Sequence, residues 1–158
     1  MHINYDVLIL NSDTKYFLEK DFKVRKLVMK GRNISLDLNS FTLFVKEIIV
    51  EGENISIYST GKAGNITNVF EIENGDIMKI LTEIGVLYKD VNVLIAKRCN
   101  IPPIAVIFAK QITGFVFDNI ILNTNVTAFE IINGTNIMVS NSQFIVNKGK
   151  GISVQNEN

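Results

Sequence analysis

The residues of this chain best suited to chemistry are its carboxylates. Two carboxyl groups held about 5 to 9.5 Å apart can share acid and base or nucleophile roles on a glycosidic bond. Four acids alternate with apolar neighbours: Asp37, Glu71, Asp118 and Glu130. Two of them stand in near-copies of one stretch, NITNVFEIENGDIM at 65–78 and NVTAFEIINGTNIM at 125–138. A single histidine, His2, and a single cysteine, Cys99, exclude an intramolecular disulfide and any metal site built from several His or Cys ligands. Lys20, Lys23, Arg25, Lys26, Lys30 and Arg32 make a locally basic stretch. It reads as a solvated face before it reads as a phosphate-binding one.

What must position these side chains is a repeat. Residues 27–38, LVMKGRNISLDL, return 21 residues later as 48–59, IIVEGENISIYS. Each copy has two apolar residues two apart, then a glycine and an asparagine, then a second alternating apolar pair. That is strand, tight turn, strand at a fixed period, the mark of a solenoid. The first pair recurs at Leu27/Met29, Ile48/Val50, Phe70/Ile72, Val86/Tyr88, Val106/Phe108, Phe129/Ile131 and Ile152/Val154. The second recurs at Ile34/Leu36, Ile55/Ile57, Val93/Ile95, Phe115/Phe117 and Ile137/Val139, and a third apolar position follows near Leu43, Ile101, Leu122 and Phe144. Three short strands per repeat make one coil of a parallel β-helix, because parallel strands need long connections. Such crossovers wind right-handed. The expectation is an all-β chain forming one domain over 1–158, a right-handed parallel β-helix of about six or seven coils. An antiparallel sandwich is the competing fold, since Asn74-Gly75 and Asn133-Gly134 also suit hairpin turns.

Residues 1–22 read as a cap or first coil, with a short buried strand at 7–10. Residues 14–22 suit either a strand with Tyr16 and Leu18 inward or a short helix capped by Ser12 or Asp13. Residues 76–85 break the repeat: Ile77, Ile80, Leu81 and Ile84 have helical spacing, so a two-turn helix or a distorted coil replaces strands there. Asn and Gly at the corners take left-handed backbone cheaply. The five N-x-S/T sequons at Asn33, Asn54, Asn65, Asn125 and Asn133 therefore read as turn chemistry.

On this frame the acids separate. Glu71 and Glu130 fall three coils apart, about 14 Å along the rod, and Asp37 and Asp118 fall several coils apart. No acid pair, calcium cluster or basic lyase set assembles, so no catalytic residue, metal site or cofactor is assigned. More telling are outward apolar residues. Val28, Ile49, Leu87 and Ile107 should face out of the first strand column as a stripe interrupted by Glu71, and Leu94, Val116 and Met138 out of the second. Such a stripe is covered either by the chain's own loops or by a subunit or partner, and these four residues are the candidate interface.

Bulk properties narrow the classes. The 158 residues are 47% hydrophobic, enough for one core, and 16 basic residues balance 16 acidic ones. Nothing global steers the chain to nucleic acid or an anionic membrane. No apolar run reaches membrane-spanning length and the N-terminus lacks a secretory pattern. The expectation is an unprocessed product of the cell interior or a virion.

Residues 16–43, YFLEKDFKVRKLVMKGRNISLDLNSFTL, resemble the opening of pectate-lyase-like, NosD-type right-handed β-helix proteins. The likeness is carried by Tyr16, Leu18, Asp21, Asn33, Ile34, Leu36, Asp37, Leu38, Asn39, Thr42 and Leu43. Ser40 stands where that pattern usually has glycine. Residues 129–156 are similar to the generic parallel β-helix repeat. The resemblance implies the fold but leaves activity open, because the family spans polysaccharide lyases, glycoside hydrolases, copper-maturation proteins and viral tail-spike or fibre segments. The reading favoured is a non-enzymatic structural or binding protein, a viral or mobile-element product among the options, that engages a protein partner or its own copies. A carbohydrate-binding or carbohydrate-cleaving β-helix is the alternative, and nucleic-acid binding through the basic stretch ranks last.

Overall fold

The computed structural model describes residues 4–70 and 105–156. Within them lie ten strands, paired in parallel throughout, and no helix. In chain order they are β1 (Asn4–Leu10), β2 (Thr14–Phe17), β3 (Phe22–Asp37), β4 (Thr42–Tyr58), β5 (Gly64–Thr67), β6 (Ala105–Asp118), β7 (Ile120–Thr124), β8 (Thr127–Ser140), β9 (Gln143–Val146) and β10 (Ile152–Gln155). Four of them, β3, β4, β6 and β8, run 14 to 17 residues. A usual strand has about 5 or 6. They are long because each bends at a corner and serves two faces of the solenoid. Three stacked sheets result. The first holds β1, the first halves of β3, β4, β6 and β8, and β10; the second holds β2 and the second halves; the third holds the starts of β3 and β4 with β5, β7 and β9.

The described residues complete about five turns, against the six or seven expected. That expectation rests in part on rungs at 70–72, 86–88, 93–95 and 101. Apart from Phe70 these positions lie outside the described residues, as do the irregular stretch 76–85 and Leu87. In the stack β4 pairs directly with β6, Ile48 beside Ile107 and Ile55 beside Phe115. Of the stretch at 14–22, Thr14–Phe17 form the strand β2, with Tyr16 packed on the core, and Phe22 opens β3.

The core is a set of inward columns, one side chain per turn. Leu8, Leu27, Ile48, Ile107 and Phe129 make one; Leu10, Met29, Val50, Ala109 and Ile131 make the next; Ile152 and Val154 of β10 continue the two columns but are exposed. Each fully buried aliphatic or aromatic side chain contributes on the order of 1.5 to 3 kcal/mol of transfer free energy. The core changes character along the rod. Its fully buried side chains in the N-terminal turns are aliphatic or methionine, with Tyr16 and Phe22 packed at the margin, whereas Phe115, Phe117, Phe129 and Phe144 form an aromatic cluster with ring centroids 5.4 to 6.2 Å apart.

The corners explain the Gly and Asn spacing. Gly31 and Gly52 stack at φ of 134° and 123°, and a Cβ on Gly52 would lie 1.8 Å from the Gly31 carbonyl oxygen. Only glycine fits. Asn33 and Asn54 are left-handed, at φ of 55° and 54°. The Asn54 amide donates to Asn33 Oδ1 at 2.7 Å, and the Asn33 amide to Asp13 Oδ1 at 2.9 Å. One polar ladder thus ties three turns together. Asn133 is also a left-handed corner, but Asn65 lies inside β5, and Asn125 accepts from Asn68 across a different corner at 2.9 Å.

One expected register is corrected. Pairing with Ile48 and Val50 makes Ile107 and Ala109 the inward pair of β6 in place of Val106 and Phe108, although Val106 is itself fully buried. The cause is a β-bulge. Val50 pairs with Ala109 but Gly52 pairs with Ile112, so β6 carries one extra residue around Gln111, itself left-handed at φ 49°. An extra residue reverses which side chains face inward between the two halves of the strand.

Candidate functional site

The first sheet carries the outward column Ile9, Val28, Ile49, Phe108, Glu130 and Ser153. Two of the four residues expected there, Val28 and Ile49, are neighbours on it, both half-buried. Leu87 lies outside the described residues. Ile107 is removed from the face, because it is wholly buried beneath Ile48. Its place is taken by Phe108, and Ile9, 63% exposed, extends the stripe at the other end. Four apolar side chains therefore stand on successive rungs, where a solvated outer face would present polar ones. The sequence signal for Phe108 is present but ambiguous: residues 105–109, AVIFA, are apolar throughout and give no alternation to read.

Charges frame the stripe. On the second rung the outward neighbours of Val28 are Lys26 and Lys30; on the third, those of Ile49 are Glu47 and Glu51, in register with the lysines. Lys26 Nζ lies 3.3 Å from Glu47 Oε1, with both side chains a quarter exposed. Glu130, next to Phe108 in the column, is nine-tenths buried.

The second sheet holds the acids. Asp37, Tyr58, Asp118 and Ser140 occupy one outward column beneath Phe17, which is 62% exposed. Asp37 and Asp118 are thus two rungs apart with Tyr58 between them, and not several turns apart as expected, because β6 stacks directly on β4. Two rungs span about 9.6 Å at a spacing of about 4.8 Å, just beyond the roughly 6.5 to 9.5 Å of inverting glycosidases. Both carboxylates are engaged at corners. Asp37 accepts from the Asn39 and Thr60 backbone N–H groups at 2.8 and 2.9 Å and from the Thr60 hydroxyl at 2.6 Å. Asp118 accepts from the Asn141 amide at 3.0 Å and the Ser140 hydroxyl at 2.8 Å. These two bonds, Asn141 first, hold the Asp118 carboxyl below the usual carboxylate range. Asp118 is therefore an anion at neutral pH and has no proton to give. Glu71 lies outside the described residues.

The basic stretch does not gather into one patch. Lys23 reaches over the rings of Phe44 and Phe70, at 5.6 and 5.9 Å. Arg25 is buried and Lys26 is paired with Glu47. Lys20 instead borders a cavity of about 270 Å³ at the N-terminal end of the core, walled by Leu8, Leu10, Tyr16, Leu18 and Phe22. Nearby, Lys46 lies 4.2 Å from the Phe70 ring centroid and donates to the carbonyls of Asn68, at 2.7 Å, and Phe70. Among the described residues no group of three or more His, Cys, Asp or Glu could hold a metal ion. No family model, curated protein or solved structure matches the chain.

Proposed function

We propose that the protein is a non-enzymatic binding or structural β-helix that presents the outer face of its first sheet to a protein partner, another copy of the chain included. One observation carries this reading: Ile9, Val28, Ile49 and Phe108 stand outward on four successive rungs of a rigid sheet. Ile9 is 63% exposed and the other three are half-buried, and the part of the stripe left in water costs about 25 cal/mol per Å² of apolar surface. Right-handed winding and kinship with pectate-lyase-like, NosD-type proteins belong to the same proposal. They are supported by the crossover rule and by the resemblance at 16–43. The test is Val28→Lys combined with Ile49→Lys. Lysines there keep their stems on the sheet and their ammonium groups in water, so circular dichroism and the melt should stay close to wild type while association is lost. A folded double variant that associates as wild type does would remove the proposal.

A second reading has its own observation. Phe17 and Tyr58 alternate with Asp37 and Asp118 on the second sheet, and aromatic faces beside carboxylates suit sugar rings. Under this reading soluble glycans shift the Tyr58 ring resonances, and Tyr58→Ala abolishes binding. Glycan titrations that leave those resonances unmoved would eliminate it.

A further inference from the structure

We infer that the first-sheet face binds a second copy of the same chain, packed face to face with the two solenoid axes antiparallel. This rests on the role proposed above for that face and adds the identity and orientation of the partner.

A pattern of charge around the apolar stripe carries this inference. On the second rung the outward side chains read Lys26, Val28, Lys30; on the third they read Glu47, Ile49, Glu51, each directly in register with the one before. One rung is positive, apolar, positive, and the next is negative, apolar, negative. Two identical faces packed together are related by a twofold axis lying between them, and the choice of axis decides which charges meet. With the axis parallel to the strands and passing between these two rungs, the second rung of one copy lies against the third rung of the other. Lys26 then faces Glu47 of the second copy, Lys30 faces Glu51, and Val28 faces Ile49, each contact occurring twice. On the outer rungs Ile9 faces Phe108. With the axis parallel to the solenoid instead, the strands oppose in direction, so Lys26 meets Lys30 of the second copy and Glu47 meets Glu51. Every charged contact becomes repulsive. Of these two arrangements only the first makes the face complementary to itself, and the pairing within a copy, Lys26 with Glu47 at 3.3 Å, becomes one side of a four-charge square of alternating sign.

The size of the face sets the strength. In this arrangement only the first four rungs overlap, since β8 and β10 find no counterpart; four rungs at about 4.8 Å and five residues at about 3.3 Å give about 19 by 17 Å, roughly 320 Å² of projected area on each copy. A standard interface buries about 800 Å² per partner. The dimer therefore belongs to the class that dissociates on dilution, and its charged frame makes it sensitive to salt.

Sedimentation equilibrium of the full chain over a wide concentration range tests this. Wild type should show a monomer–dimer equilibrium that weakens as salt is added. Lys26→Glu with Lys30→Glu in one variant, and Glu47→Lys with Glu51→Lys in another, should each leave a folded monomer, since like charges then meet across the axis. Mixing the two variants should restore a dimer, because each supplies the charges the other lost. Wild type that stays monomeric at its highest soluble concentration overturns the inference, while binding of another protein by the face is still judged by the Val28, Ile49 double variant. A dimer indifferent to both charge reversals overturns the antiparallel orientation. If it also survives the double lysine substitution, the role of the face falls with it.

Discussion

Replacing Ile107 and Phe108 one at a time by lysine separates the two faces of β6 with a large difference in stability. Ile107 is fully buried between Ile48 and Phe129. Ile107→Lys forfeits roughly 1.5 to 3 kcal/mol of apolar transfer and places an amine in the core. A buried lysine with a pKa of about 5 to 6 is neutral at pH 7. Removing its proton there costs about 1.36 kcal/mol for each of the roughly 3.4 units separating pH 7 from about 10.4, or about 4.6 kcal/mol. The total of about 6 to 8 kcal/mol rivals the whole stability of a domain, about 5 to 15 kcal/mol, so this variant should be largely unfolded. Phe108→Lys, one residue on, lets the ammonium reach water past Ile49. It should cost about 1 to 2 kcal/mol, part of a Phe transfer free energy. Urea denaturation followed by far-ultraviolet circular dichroism, at high dilution so that association does not contribute, reads both. A cooperative, near-wild-type transition for Ile107→Lys alongside an unfolded Phe108→Lys would refute the register of β6.

Gly52→Ala should destabilise the fold by at least about 1 to 3 kcal/mol, the cost of forcing a side chain into sparsely populated backbone space. Its Cβ would also strike the Gly31 carbonyl at 1.8 Å. Gly151→Ala, with nothing within 4 Å, should be nearly neutral in the same melt, and equal losses at the two sites would contradict the stacked corner. Asp118 should titrate below the unfolded value of about 3.9. The bonds from Asn141 and Ser140 then stabilise the fold above that value, and their contribution is lost as pH falls through the lower folded pKa. Asn141→Ala should raise the titration midpoint read from the side-chain carboxyl resonance, and a midpoint that does not move would remove the cause assigned to it.

Where the repeat is strict the fold is legible. The matched segments at 27–38 and 48–59 stack residue on residue, Leu27 on Ile48 and Ile34 on Ile55, because identical spacing leaves only one register that buries both apolar pairs. Two features are not legible in this way. The bulge near Gln111 lies beside the uninterrupted apolar run 105–109, so nothing in the residue types marks which of Val106 and Ile107 faces inward. Asp37 and Asp118 read as farther apart than they are because the apolar pairs between 70 and 101 look like rungs, while the stack passes directly from β4 to β6. A clue lies in the tripeptide Thr-Asn-Val, at 67–69 and again at 124–126. Asn68 and Asn125 bond to each other at one corner, which makes those two tripeptides adjacent turns. The stripe is half legible for the same reasons: Val28 and Ile49 follow from the strict repeat, whereas Phe108 depends on the bulge.

The contiguity of that stripe, on which the proposed function stands, is tested most directly by cross-strand nuclear Overhauser effects in the full chain. Parallel pairing of β4 with β6 places Ile49 beside Phe108 and Ile55 beside Phe115, at the roughly 4.8 Å spacing of neighbouring strands. Backbone cross-peaks should therefore connect these pairs. Cross-peaks from Ile49 and Ile55 to residues within 71–104 instead would insert a further turn between the two strands, break the stripe and contradict the proposed face.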